Sequence, residues 1–143
     1  MALSEQPLGD LLAALGARTP APASGVATAC TGALGASLVE LAARYADDNV
    51  RAERAQALAV RLTELADEDV VAYTAFLAER SPESRAAIVR VPEEIAACAD
   101  EVAALADDVH GQLTSAVAAD AAAGGQLARA AASVARSLVE ANA

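Results

Sequence analysis

The chain reads as an all-α protein, a compact bundle of about five main helices plus one short helix. Three observations predict this. Alanine supplies 42 of the 143 residues, whereas Phe and Tyr together supply three and Trp is absent; alanine is the best helix former and gives a strand little to pack with. Apolar residues recur three and four apart through most of the chain, the repeat of one helix face. Start and stop signals separate these periodic stretches. The length suits a single domain spanning 1–143 with a core of its own. Small side chains bury little area each, so that core is thin, and a homodimer or higher homo-oligomer is expected.

The first helix begins after Ser4, a good N-cap, with Pro7 tolerated in its first turn. Leu8, Leu11, Leu12 and Leu15 form its apolar face, and it stops near Gly16. Two prolines two apart keep Arg18-Thr19-Pro20-Ala21-Pro22 extended. The second helix runs from about Gly25 to Tyr45, and Gly25, Ala29, Gly32, Ala33, Gly35 and Ala36 give it a surface that another backbone can approach closely. Its free N–H groups at the start are a natural place for an anion. Asp47-Asp48-Asn49 makes a polar turn, and a third helix covers about Val50 to Glu79. Ser81 as cap and Pro82 at the first position open a short helix that ends near Arg90. The next helix spans about Pro92 to His110, with Ile95, Cys98, Val102, Leu105 and Val109 inward. After a break at Gly111, the last runs from about Gln112 to Glu140; its Gly124-Gly125 costs about 1 kcal/mol per glycine relative to Ala, which is reasonable where something approaches closely.

The formal net charge is −10 and every basic residue is Arg. Nucleic acid and an anionic membrane surface are therefore not expected as partners, because the electrostatic term repels them. Residues 21–39 carry no charge, yet they are mostly Ala, Gly, Ser and Thr with Pro22 inside, which fits a buried bundle helix better than a membrane span. The N-terminus carries Glu5 and Asp10 instead of a basic region followed by an apolar run, so no secretory signal is read. Cys30 and Cys98 sit in apolar patterns and read as small core residues in a reducing cytoplasm.

Two acids break core-facing stripes. Leu58, Leu62, Leu65, Ala72 and Phe76 follow one helix face, and position 69 on that face is Asp69. Leu113, Val117, Gly124, Leu127, Ala131, Val134 and Leu138 form a second stripe, interrupted by Asp120. A carboxylate on a buried seam loses hydration and needs a partner, a shifted pKa or a purpose. Each acid could also sit where its helix is locally exposed, or cap a neighbouring helix. No metal site is expected: Asp107, Asp108 and His110 are close in sequence, but one His and two distant Cys do not supply a di-iron or zinc ligand set. No arrangement of the Ser-His-Asp kind and no glycine-rich phosphate loop is present, which leaves acid–base chemistry by carboxylates.

Arg18-Thr19-Pro20-Ala21-Pro22-Ala23-Ser24-Gly25-Val26-Ala27 resembles the Thr-Pro-x-Pro-Gly-Gly-Gly-Ser opening of the cyclodeaminase/cyclohydrolase family. That family includes the C-terminal domain of formiminotransferase-cyclodeaminase and bacterial methenyltetrahydrofolate cyclohydrolases. Asp67-Glu68-Asp69-Val70-Val71-Ala72-Tyr73 is similar to its Asp-x-x-Ala-Phe segment, and Val91-Pro92 with Ile95-Ala96 to its Val-Pro-x-x-Ile/Leu-Ala helix start. Asp120 with the Ala/Gly run after it, and Asn142, resemble its closing helix. The resemblance implies an enzyme of one-carbon tetrahydrofolates with no cofactor beyond the folate itself. It would open the methenyl bridge with water, or close 5-formiminotetrahydrofolate to the methenyl form with loss of ammonia. It implies Asp69 for proton transfer, Asp120 for stabilising the cation, and Thr19, Pro20, Pro22, Ser24, Gly25 and Asn142 for substrate binding. The chain departs from the family where the triple glycine becomes Ala23-Ser24-Gly25, and where a basic segment after the second helix becomes Asp47-Asp48-Asn49. Those departures support an alternative: a diverged, non-catalytic helical member acting as a binding or interaction module.

Overall fold

A computed structural model of the chain describes residues 1–114 and 116–143. Four long helices, α2 (Ser24–Tyr45), α3 (Asn49–Ala78), α4 (Pro82–His110) and α5 (Val117–Asn142), follow a short helix, α1 (Leu8–Gly16), and a single 3-10 turn at Leu3–Glu5. The long helices run up, down, up and down. Ion pairs record the antiparallel register of α3 on α4: Arg51 meets Asp108, Arg54 meets Glu101 and Arg61 meets Glu94. Arg129 with Asp107 and Arg136 with Asp100 do the same for α4 and α5. Each of these pairs is partly or mostly exposed, so they set register more than they add stability.

The core is thin, as its composition requires. Its largest fully buried side chains include Leu62 and Leu65 from α3, Val39 from α2, and Ile95, Val102 and Val109 from α4. From α5 only Ala and Gly are buried. The helices compensate by approaching closely. At the α2–α5 crossing, a Cβ on Gly35 would lie 2.7 Å from the Gly124 carbonyl oxygen, and a Cβ on Gly124 would lie 2.8 Å from that of Gly35. Gly35 on the small-residue face of α2 and Gly124 of α5 are thus two halves of one backbone contact, whereas Gly125 faces α4, where an added Cβ would lie 3.1 Å from that of Ala106. α2 is 22 residues long and its most apolar 18-residue window has a mean hydropathy of 1.5, enough by length and composition to cross a membrane. In the bundle it lies against α3, α4 and α5, with over half of its most apolar window buried.

Several details differ from the sequence expectation. The short helix and its successor are one continuous helix, α4, with Pro92 inside and buried. The buried face of α5 keeps Gly124 and Ala131 of the expected stripe but otherwise turns to Ala121, Ala128, Ala132 and Ala135, while Val134 is 44 % exposed. The last helix starts at Val117, not Gln112; the expected span crosses Ser115, which lies outside the described residues. Cys30 and Cys98 are half-buried at the edge of the core, not inside it. Burial raises both thiols above their ordinary values, with the Asp67 charge adding to the effect at Cys30.

Candidate active site

The antiparallel order gathers the start of α2, the second half of α3, the middle of α4 and the last turns of α5 around one cavity. It holds about 190 Å³ and is lined by Pro20, Ala21, Ala23, Ser24, Gly25, Asp69, Tyr73, Pro92, Leu138 and Asn142. Asp69 reaches it because it continues the seam of Leu58, Leu62 and Leu65, all buried, into the end of the bundle where the seam opens. Its carboxylate packs against Gly25 so closely that a Cβ there would collide with it. That contact explains why this position of the Ala23-Ser24-Gly25 segment has no side chain.

Asp69 makes no hydrogen bond or ion pair among the described residues, and no oxygen of it is both fully buried and unsatisfied. Its carboxylate therefore faces the cavity, where burial raises its pKa above the ordinary value. Its neighbours in sequence do other work. Asp67 accepts a hydrogen bond from the backbone N–H of Leu3 (2.9 Å), and Glu68 pairs with Arg61 (2.7 Å) and Arg90 (3.6 Å). Three consecutive acids face three surroundings, and only Asp69 is without a partner.

Asn142 sits opposite, and its position has a cause in α4. Pro92 has no N–H, so the carbonyl of Ile88, four residues back, loses its helical donor. The Asn142 side-chain amide donates to that carbonyl at 2.9 Å. The last turn of α5 is thereby pinned to the proline of α4, and the remaining amide oxygen of Asn142 is left for the cavity it lines. An orphaned carbonyl costs about 1–3 kcal/mol. Asn142→Ala is expected to lose about 1 kcal/mol in denaturant unfolding, and Pro92→Ala should abolish most of that loss by restoring the helical donor. An additive double variant would show that the two residues are not coupled.

The cavity also takes Pro20, Ser24 and Gly25 from the predicted substrate-binding set, whereas Thr19 is exposed and Thr19 and Pro22 are not among its lining residues. Asp120 is not brought to it. Half-buried in the first turn of α5, it lies about 27 Å along the helix axis from Leu138, at the opposite end of the bundle. Antiparallel packing separates the two acids, so within one chain no Asp69–Asp120 pair forms. Tyr73, one turn after Asp69 on the same face, also lines the cavity, and the helical period marks it in the sequence. A larger groove of about 450 Å³ lies between α1, α2 and α3, but Leu3, Leu8, Leu11, Ala33, Leu34, Ala59 and Val60 make it apolar. Its one titratable lining group is the Cys30 thiol, so carboxylate chemistry belongs to the smaller cavity.

The family model for formiminotransferase-cyclodeaminase matches residues 7–143. The chain belongs to the formiminotransferase-cyclodeaminase family. Among solved structures, the crystal structure of formiminotetrahydrofolate cyclodeaminase from Thermotoga maritima superimposes with a TM-score of 0.90 at 18 % identity. The match covers 97 % of this chain and 79 % of that one. No curated protein matches the sequence significantly. The cyclodeaminase-type bundle is therefore kept while most side chains differ, and the family membership accords with the motifs at Thr19–Gly25, Asp69, Val91-Pro92 and Asn142. All four stretches supply residues that line this cavity, the Thr19–Gly25 segment through Pro20, Ser24 and Gly25.

Proposed function

We propose that this family member acts on a one-carbon tetrahydrofolate at the Asp69 cavity, as a methenyltetrahydrofolate cyclohydrolase or a formiminotetrahydrofolate cyclodeaminase. The observation that carries this reading is the unpartnered, half-buried Asp69 carboxylate against Gly25, in a pocket closed by Asn142 and Tyr73. Opening a methenyl bridge needs water to attack a cationic carbon and a base to take the water's proton. Closing a formimino group needs a proton delivered to the departing nitrogen as ammonia leaves. A partly desolvated carboxylate serves both, as proton carrier and as counter-charge to the one-carbon cation. With Asp120 remote, Asp69 carries both tasks in this chain. The uncapped start of α2 adds backbone N–H groups at the same cavity wall.

A volume of about 190 Å³ is below the range of about 300–1,000 Å³ that encloses a drug-sized ligand, so the cavity accommodates the reacting head and leaves the rest of the substrate outside. The deciding experiment is loss of methenyltetrahydrofolate absorbance with purified protein. Turnover supports the enzyme; neither turnover nor binding of 5-formyltetrahydrofolate would leave the non-catalytic module as the better reading.

A homodimer is proposed across the face of α1, α2 and α3. Leu8 (69 % exposed), Leu34 (62 %) and Val60 (54 %) line the apolar groove there, and Leu12 (59 %) is exposed on α1 one turn from Leu8. An interface free of charge suits a chain of net charge −10. Light scattering should give twice the chain mass, and Leu34→Asp should give a monomer; a strict monomer before mutation overturns the assignment.

A further inference from the structure

Of the ten arginines, seven are paired with carboxylates: Arg44, Arg51, Arg54, Arg61, Arg90, Arg129 and Arg136. Among the described residues the other three, Arg18, Arg80 and Arg85, have no ion pair. In a chain of twenty acids this is not for want of partners. All three lie at the cavity end of the bundle. Arg80 follows the end of α3 and Arg85 is in the first turns of α4. Their guanidinium carbons lie over the same ring, Phe76, at 5.2 and 5.5 Å from its centroid. The Phe76 ring is 6.3 Å from that of Tyr73, which lines the cavity. Arg18 stands two residues before Pro20 on the connection that forms the rim.

Two guanidinium groups sharing one ring repel each other, and Glu79 and Glu83, their closest acids in sequence, pair with neither. Both guanidinium groups lie within cation–π reach of Phe76, both residues are exposed, and neither is held by a carboxylate of the described residues, so each N–H fork is free to take a carboxylate in two parallel hydrogen bonds. We propose that Arg80 and Arg85 on Phe76, assisted by Arg18, form a carboxylate-binding platform beside the cavity, holding the anionic glutamate end of the substrate while its head lies at Asp69. This rests on the folate reading above, and it supplies what the sequence lacks after α2. The Asp47-Asp48-Asn49 turn is at the opposite end of the bundle from Asp69, so its acidity does not face the substrate's tail.

The test uses p-aminobenzoylpentaglutamate, which has the carboxylates but no reacting head, titrated calorimetrically into the full chain at low salt. Wild type is expected to bind it, more weakly as salt rises, and Arg80→Gln/Arg85→Gln to bind at least 10-fold more weakly. Arg44→Gln/Arg136→Gln, which removes the same charge from paired positions, should bind as wild type does. No binding by wild type, an unchanged affinity in the first variant, or an equal loss in the second overturns the platform. Absence of methenyltetrahydrofolate turnover with fragment binding intact would instead reject the chemistry and leave the platform standing.

Discussion

Asp69→Asn is expected to remove at least 100-fold of the turnover of methenyltetrahydrofolate while raising the melting temperature at neutral pH. The first half follows from the role of the group: a positioned acid or base contributes about 10²–10⁴-fold, and no second carboxylate lines the cavity to replace it. The second half follows from linkage. Burial raises the Asp69 pKa in the folded chain, so folding favours its protonated form. Above the folded pKa the buried charge therefore opposes folding; as pH falls through that pKa towards the ordinary carboxylate value, the opposition fades. An isosteric amide removes it, so the stability gain should be present at pH 7 and vanish in acid. For the same reason, wild-type activity that depends on the carboxylate should fall on the acid side at a pH above the usual carboxylate range. Activity retained in Asp69→Asn sinks the catalytic assignment. A lower melting temperature at pH 7 would mean instead that the carboxylate serves the fold.

Gly35→Ala should destabilise the bundle by about 2 kcal/mol, which for a domain of this size lowers the melting temperature by about 5 °C. Two effects oppose each other here. Replacing a mid-helix glycine by alanine gains up to about 1 kcal/mol in helix propensity. The added Cβ, however, would lie 2.7 Å from the Gly124 carbonyl oxygen and 3.2 Å from the Ala128 nitrogen, and both are backbone atoms of α5. Backbone cannot rotate aside as a side chain can, so α2 and α5 must separate, and alanines that touch across the crossing lose contact together. The cost of separation exceeds the propensity gain. Gly9→Ala in α1 is the control, since nothing lies within 4 Å of its added Cβ and no such loss is expected. Equal stability of Gly35→Ala and wild type would show that the crossing is looser than described.

The small surface of α2 and the costly Gly124 of α5 also show how far local sequence reaches. Each was legible as a face waiting for a close neighbour; that they were each other's neighbour was not. The same holds for Asn142, whose place near the chain end resembled a family motif, while its bond to the Ile88 carbonyl became visible only with Pro92 inside a continuous α4. The expected helix break before Pro92 failed because tertiary contact supplied the missing donor and buried the ring, overriding a local preference.

The helical class, most helix boundaries and Asp69 as an acid on an apolar seam were all readable from the residues alone, because these depend on propensity and on a period of 3.6 residues along one segment. It took the packed bundle to open Asp69 onto a cavity, to place Asp120 at the far end, and to bring Arg18, Arg80 and Arg85 to the cavity's end. A helix period fixes which face a residue occupies but not its height in the bundle relative to another helix. That height depends on the antiparallel register, which is set by packing between segments far apart in the chain.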